Sequence, residues 1–341
     1  MGLRNNMTEK GVFVIPLLAV LLAVLTLLSF GLGRYDIAPV TVTKILWAHL
    51  TGWPDTAPAT AQVVVLEIRP PRILAAILVG AALSASGAAY QTMFRNPLVS
   101  PEILGVAAGA GFGASLAILA GWPFAMIESM SFGCGLLAVL LALVIGRIAG
   151  GSLIVLVLGG IVIGTMFASL ISATQYFANP ETTLPEITFW LFGSLARATL
   201  SGLVLPAAAV ALSLALLYAM RWPLTVLAAG EDAAQTLGVS RRLVWGVVIA
   251  SSTLMTATVV SIAGIIGWVG LVVPQFARFL TGSGFGRLLP ASALSGAIYL
   301  LAVDDMARSA TSLDLPLGIL TALIGAPVFV ALLIRLGRQW L

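Results

Sequence analysis

The sequence predicts an all-α polytopic membrane protein, and its composition is the first reason. Hydrophobic residues make up 60% of the 341 residues and charged residues only 9%, whereas an ordinary globular chain has roughly 25% charged residues. A soluble protein of this size could not cover its surface with so few charges. The second reason is a series of long charge-free stretches, each near the length that a helix needs to cross a bilayer. Together they exclude a soluble enzyme, a nucleic-acid-binding protein and a disordered chain.

The charge-free stretches predict the number of spans, because a helix needs about 20 residues to cross ~30 Å of hydrocarbon. The longest stretch is interrupted by three glycines and by Pro274, so we divide it into two segments. The stretch that reaches Asn179-Pro180 is expected to hold one span, followed by a short helix. About ten transmembrane helices result, in a single transmembrane domain over residues 1–341. The stretches are 11–33, 73–94, 103–127, 129–146, 148–180, 198–220, 243–277, 288–303 and 315–334.

The positions of Lys and Arg predict the orientation. If the N-terminus is cytoplasmic, ten spans place eleven of these residues inside and six outside, which accounts for all 17. Cytoplasmic connections carry the excess of Lys and Arg in membrane proteins. We therefore expect a multi-pass protein of the bacterial inner (plasma) membrane with both termini in the cytoplasm.

Glycine spacing predicts how the helices pack. Lipid gives helices no hydrophobic reason to associate, so close contact through small residues takes that role. Glycines repeat at intervals of four in three places, and each repeat predicts a helix crossing. The repeats are Gly105/Gly109/Gly113, Gly146/Gly150 and Gly160/Gly164.

Several chemistries find no support in the sequence. A single cysteine, Cys134, and a single histidine, His49, exclude an internal disulfide and a multi-histidine metal site. No nucleophile and base are paired in the manner of a catalytic triad. Neither of the lysines, Lys10 and Lys44, closes a Gly-x-x-x-x-Gly-Lys-Ser/Thr phosphate loop. We expect no catalytic site, no metal site and no cofactor bound by this chain.

Three segments are more specific than generic membrane sequence. The first runs from Arg69-Pro-Pro-Arg72 through Arg95-Asn96-Pro97-Leu98 to Leu104-Gly105, and the second is Gly230-Glu231-Asp232-Ala-Ala-Gln-Thr-Leu237-Gly238. The third runs from Gly264 to Arg278 and continues as Leu315-Pro316-Leu-Gly318 and Gly325-Ala-Pro327. In order and spacing, over roughly residues 60–335, they resemble the FecCD-type permease subunits of ABC importers for iron-siderophores, haem and cobalamin.

The resemblance implies a function and a set of partners. Family permeases have ten helices, and two subunits enclose one central path. It implies a second permease subunit, with a homodimer expected over a paralogous pair, and an extracytoplasmic substrate-binding protein. It also implies two cytoplasmic ATPase subunits, which bind the ATP and Mg. The expected cargo is a metal chelate: an iron-siderophore first, then haem or cobalamin. An oxyanion such as molybdate is the last of the expected cargoes.

The resemblance also assigns roles to three groups of residues. Within a cytoplasmic coupling segment at about 229–241, a short helix would insert into the ATPase. Two connections between spans would form a cytoplasmic gate. Three arginines on the outer side would bind acidic residues of the binding protein. Without the resemblance, these groups are a solvated loop, simple span connectors and arginines that reach lipid headgroups. The groups are Gly230, Glu231, Asp232, Leu237 and Gly238 for coupling, Asn96, Leu98, Gly151 and Ser152 for the gate, and Arg69, Arg72 and Arg308 for docking.

Two further points stay open at this stage. Asp304 and Arg308 lie four residues apart, so they share a helix face and could form a structural ion pair. The competing function is an ion-coupled secondary transporter. The scarcity of acids near span centres counts against it, because coupling sites usually require them.

Overall fold

The computed structural model describes residues 2–53, 57–309 and 314–337, and no strand occurs in these ranges. Arg338, one of the eleven Lys and Arg residues predicted to be cytoplasmic, lies outside these ranges. A π-helical turn, Val64–Ile68, precedes α4, and a 3-10 turn, Pro101–Leu104, precedes α5. The α-helices are α1 (Gly2–Ser29), α2 (Pro39–Thr51), α3 (Ala59–Val63), α4 (Arg69–Met93), α5 (Val106–Leu119), α6 (Phe124–Ile148), α7 (Leu153–Phe177), α8 (Thr183–Leu191), α9 (Leu200–Ala219), α10 (Arg221–Ala229), α11 (Glu231–Thr236), α12 (Arg241–Ala263), α13 (Val269–Thr281), α14 (Phe285–Ser309) and α15 (Leu317–Gly337).

Each predicted span corresponds to an apolar helix. By length and composition, six helices in the described ranges can cross a membrane: α3 joined to α4, then α6, α7, α9, α12 and α14. Shorter apolar helices lie in α1, α5, α13 and α15 and complete a set of about ten. The division of 243–277 is confirmed, since α12 ends at Ala263 and α13 begins at Val269. The short helix expected after Asn179-Pro180 is α8.

The break between α12 and α13 has a steric cause. Gly264 has a φ of +73°, and a Cβ there would lie 2.3 Å from the carbonyl oxygen of Trp190. Only glycine adopts this conformation without cost and without a clash. Trp268, just before α13, also has a positive φ of 70°. The chain therefore turns between two half-length elements instead of continuing as one long helix.

The helices fall into an inner and an outer group. The apolar windows of α4, α12 and α14 are 78%, 67% and 56% buried, whereas those of α6, α7 and α9 are 33%, 28% and 28% buried. Helix α4 lies at the centre and contacts α12, α13 and α14. The exposed sides of α6 and α9 carry large apolar residues such as Leu140 and Leu205. Such faces suit lipid or a partner subunit.

Glycines permit the closest helix crossings, and two of the three predicted glycine repeats lie at such crossings. A Cβ at Gly109 would lie 2.5 Å from the carbonyl oxygen of Cys134, and one at Gly113 would lie 2.2 Å from that of Met130, so α5 packs directly on α6. Gly160 brings α7 against the 3-10 turn, where a Cβ would lie 2.3 Å from the carbonyl oxygen of Ile103. These small-residue contacts are the ones expected between helices in lipid.

In the Gly146/Gly150 repeat, Gly146 lies against Leu156 of α7, as expected of a crossing, but the prediction for Gly150 is wrong. Nothing lies within 4 Å of a Cβ built on Gly150, and its φ of +99° places it in a turn between α6 and α7. Gly150 is thus required for its backbone conformation and makes no helix crossing.

Gly80→Ala should destabilise the fold, because α4 and α14 cross at this residue. A Cβ on Gly80 would lie 2.2 Å from the carbonyl oxygen of Gly296. The two backbones would have to separate, at a cost of about 1–3 kcal/mol. We expect a lower melting temperature for the purified protein in detergent. Gly133→Ala is the matched control, since a Cβ there meets nothing within 4 Å. Equal melting temperatures for the two variants would contradict this account of the crossing.

Residues 34–68 contain elements that the sequence analysis did not assign. Helices α2 and α3 and the π-helical turn enclose a small core of their own. Each element is too short, and each apolar run too interrupted, to be recognised as a span. The buried members of this core are Ile37, Val42, Ile45, Ala61 and Val65.

Candidate functional site

The predicted coupling segment is a short helix held between two turns. Helix α11 spans Glu231–Thr236, with Gly230 as its N-cap, and Gly238 follows with a left-handed φ of 69°. The backbone N–H of Gly238 donates to the carbonyl of Gln235, and that of Val239 donates to the carbonyl of Ala234 at 2.8 Å. This is the Schellman arrangement, in which glycine ends a helix. The short helix predicted within the segment 229–241 is therefore confirmed.

Helix α11 presents most of its surface away from the bundle. Ala234 is buried at 2% exposure, while Asp232, Leu237 and Gly238 are exposed. Leu237 is a large apolar residue with 56% of its surface exposed, in a segment outside the spans. Burial of such a residue would favour association with a partner. The geometry suits a docking element, and the coupling role itself stays a prediction.

The first gate connection follows α4 directly. Asn96 forms a local turn in which its side-chain oxygen accepts a hydrogen bond from the backbone N–H of Leu98 at 2.9 Å. Leu98 is 49% exposed. Arg95, just before it, has a φ of 51°, which is unusual for a residue with a side chain. The connection is therefore a specific, strained turn.

The second gate connection joins α6 to α7. Gly151 has a φ of +70°, and its N–H donates to the carbonyl of Gly146 at 2.8 Å. Ser152 caps α7, since its hydroxyl oxygen accepts from the N–H of Val155 at 3.3 Å. Gly151 and Ser152 are exposed. These features give both residues a local structural function, and their gating role stays a prediction.

Arg95 and Gln275, to which the sequence analysis gave no role, link the first connection to the bundle. The guanidinium of Arg95 donates to the carbonyl of Leu227 in α10, so this connection touches the helix that precedes α11. The amide of Gln275 in α13 donates to the carbonyl of Pro97 at 2.9 Å and to the side-chain oxygen of Gln91 at 2.7 Å. We call the end of the bundle that holds these contacts and α11 the coupling end, and the opposite end the far end.

The docking prediction for Arg69, Arg72 and Arg308 requires correction. Arg69 and Arg308 are buried at 4% and 5% exposure, and the side chain of Arg72 is 13% exposed. The guanidinium of Arg69 donates to the carbonyls of Phe30 and Tyr35. Their positive groups therefore face the interior of the chain, where another protein could not reach them. Burial of an arginine without partners would be very costly, which is why each has found an internal acceptor.

The acids near these arginines complete a buried ionic cluster at the far end. The Nε of Arg72 lies 3.0 Å from Oδ1 of Asp304, and the Nε of Arg308 lies 3.7 Å from Oδ2 of Asp304. The predicted pair between Asp304 and Arg308 is thus confirmed. Arg308 also pairs with Asp305, and the hydroxyl of Ser29 in α1 donates to Asp305 at 2.6 Å. The cluster ties α1, α4 and α14 together.

More exposed charges surround a cavity of about 580 Å³ at the far end. The Nη2 of Arg197 lies 3.6 Å from a carboxylate oxygen of Glu186, and its guanidinium lies 5.4 Å from the centre of the Phe124 ring. Asp314 lines the same cavity and also pairs with Arg34 at 3.1 Å. These side chains are accessible charges of the far end, whereas the predicted arginines are buried or nearly so.

A cavity of about 380 Å³ lies beside the middle of α7. Its walls are glycines and apolar side chains, together with Glu102 of the 3-10 turn. Gly160 and Gly164 allow the turn to approach α7 closely enough to place Glu102 there.

The exposed side of α7 next to this cavity carries a row of hydroxyls. Thr165, Ser169 and Ser172 are exposed and recur at helical spacing, and each donates to the backbone carbonyl four residues earlier. We call these three residues the hydroxyl face. The exposed sides of α6 and α9 carry mainly large apolar residues, whereas on α7 the three hydroxyls alternate with exposed apolar residues such as Val162 and Met166. The hydroxyl face therefore suits a water-filled path or a partner subunit.

This architecture is that of a permease subunit of an ABC importer. The fold is similar to a solved structure described as "an inward-facing conformation of a putative metal-chelate type ABC transporter", with a TM-score of 0.83 and 36% sequence identity. The match covers 94% of this chain and 98% of that chain. Permeases of this class are transport components, and a separate ATPase hydrolyses ATP.

The chain belongs to the FecCD transport family, whose family model matches residues 21–335. It is 40% identical to the molybdate import system permease protein MolB of Haemophilus influenzae, over 94% of this chain and 95% of that protein. It is 37% identical to a probable iron chelatin transport system permease protein of Helicobacter pylori, over 81% and 84%. Family membership implies a multi-pass protein of the inner membrane. It also argues against the alternative function, an ion-coupled secondary transporter.

Proposed function

We propose that this chain is the permease subunit of an importer that carries a metal chelate, an iron-siderophore before haem or cobalamin. The observation that carries the proposal is the hydroxyl face of α7, which lies beside the 380 Å³ cavity. Hydroxyls bonded to their own backbone offer weak, replaceable contacts and no fixed charge. A large chelate needs a wide conduit that does not hold it tightly.

The proposed assembly contains a second permease subunit, here an identical copy, whose hydroxyl face lies opposite the first. Two ATPase subunits engage α11 and its exposed residue Leu237, and an extracytoplasmic binding protein delivers the cargo. Arg95 gives this proposal a mechanical link, because it joins α10 to the Asn96–Leu98 turn. A movement of α11 on the ATPase would thus be transmitted to the gate, as rigid-body rocking in alternating access requires.

The isolated chain should hydrolyse no ATP, since it has no phosphate loop. Nucleotide turnover should appear only when the chain is purified together with an ATPase subunit. The measurement is phosphate release by the detergent-purified chain, before and after addition of that subunit. Turnover by the verified-pure chain alone would contradict the proposed division of labour.

Uptake by the complete transporter in proteoliposomes tests the cargo. We expect ATP-dependent accumulation of radioactive iron supplied as a siderophore chelate together with the cognate binding protein. Molybdate supplied in the same way is the alternative, given the similarity to MolB. Accumulation of molybdate without any accumulation of chelated iron, haem or cobalamin would overturn the proposed cargo.

A further inference from the structure

Glu102 is a half-buried acid without a partner among the residues that the structure describes. It lies in the 3-10 turn that joins the first gate connection to α5, and it lines the 380 Å³ cavity. Its carboxylate makes no hydrogen bond or ion pair with the residues that the structure describes. An ionisable group in such surroundings is costly, and in membrane proteins it usually marks a path for substrate or ions.

Four other acids of the described chain have internal partners. Asp304 and Asp305 pair with arginines in the far-end cluster. Asp314 pairs with Arg34 and Arg72, and Glu186 pairs with Arg197. A structural explanation of this kind is missing for Glu102.

The cavity that Glu102 lines is accessible from the same side as the hydroxyl face. Ile161 and Ala168 of α7 form part of its wall, and both are exposed on the surface of the subunit. Ala168 immediately precedes Ser169 of the hydroxyl face. The acid therefore lines a cavity whose wall on α7 adjoins the hydroxyl face.

We infer that Glu102 faces the cargo within the passage and favours cargo that presents cationic or hydrogen-bond-donating groups over oxyanions. The inference rests on the proposed function, because it places this space on the cargo's route. Within a wall of glycine and apolar side chains, a single carboxylate sets the sign of the local potential. A cationic group next to it gains a charge-assisted hydrogen bond. A molybdate ion would meet like charge, which disfavours it.

A cysteine reporter beside Glu102 measures this potential directly. The native thiol is first removed by Cys134→Ala, and Ala168→Cys then places a thiol in the cavity wall. The complete transporter, with its ATPase subunits, is labelled at about pH 8, well above the pKa of an ordinary carboxyl. We compare the rates of a cationic and an anionic methanethiosulfonate reagent, each divided by its rate with a free thiol.

With Glu102 intact, the cationic reagent should be favoured by about tenfold, the size expected for one carboxylate close to the reporter. Glu102→Gln should bring the ratio close to one, because it retains the shape and removes the charge. Glu102→Asp should retain most of the preference. Glu128→Gln is the matched control: Glu128 is a half-buried acid on α6 that lines a different cavity, so its loss should leave the ratio unchanged.

An unchanged ratio in Glu102→Gln would overturn the inference, as would a reporter thiol that neither reagent reaches. Labelling does not depend on which cargo is carried. If the ratio falls as expected but the proteoliposomes import only molybdate, the proposed cargo and the preference against oxyanions both fail, and only the negative potential at Glu102 stands. If chelated iron is imported but the ratio does not change, the inference about Glu102 fails alone.

Discussion

Ala234→Pro is expected to abolish transport while leaving the membrane-spanning bundle folded. The backbone N–H of Ala234 donates to the carbonyl of Gly230 at 3.1 Å and forms part of the short helix α11. Proline removes this donor and clashes with the preceding turn, at a cost of ~3 kcal/mol or more in a helix interior. A helix of six residues has few other bonds to compensate. Cargo uptake in proteoliposomes and co-purification of the ATPase subunit are the measurements.

Ala234→Ser is the control at the same position. Serine is similar in size, keeps the backbone N–H and can donate its hydroxyl to the carbonyl of Gly230, so the helix should survive. We expect near-normal uptake from this variant and an unchanged melting temperature from both variants. Normal uptake by Ala234→Pro at normal expression would show that α11 does not couple ATP hydrolysis to transport.

Arg308→Met should destabilise the folded chain strongly. Arg308 and Asp305 are both 5% exposed, and the Nε of Arg308 donates to Asp305 at 3.1 Å. Arg308 also donates to the backbone carbonyl of Ser29 at 2.8 Å. Removal of one partner leaves an uncompensated buried charge, which costs about 3–5 kcal/mol. The melting temperature in detergent and the yield of extracted protein should both fall.

A double variant separates the lost pair from the lost packing. Asp305→Leu combined with Arg308→Met replaces both charges by apolar side chains and should recover most of the stability, since such replacements are often neutral or stabilising. Arg197→Met tests an exposed pair, in which the arginine and Glu186 side chains are 59% and 46% exposed; it should cost at most about 1 kcal/mol. If the double variant were no more stable than Arg308→Met, the buried charge would not be the cause.

The accuracy of the sequence predictions followed the range of the interactions involved. The spans were predictable, because hydrocarbon imposes length and polarity on each helix separately. The short helix α11 was also predictable, because the residues that begin and end it, Gly230 and Gly238, lie within its own segment. The crossings of α5 on α6 could be anticipated from Gly109 and Gly113, whereas Gly150 has the same spacing and serves a turn. Spacing alone does not separate these two uses of glycine.

By itself, the sequence determined the class of protein, its about ten apolar segments and the short helix between two of them, because each depends on residues that are close along the chain. Only the tertiary structure decided which charged residues are buried and which of them pair. It pairs Arg72 with Asp304, 232 residues away, and it leaves Glu102 unpaired beside a cavity. Sequence spacing indicates pairs three or four residues apart on one helix, but a buried charge is stabilised by whichever partner the fold brings within a few ångströms. The same arginine can therefore be predicted as a docking residue and found as part of the interior.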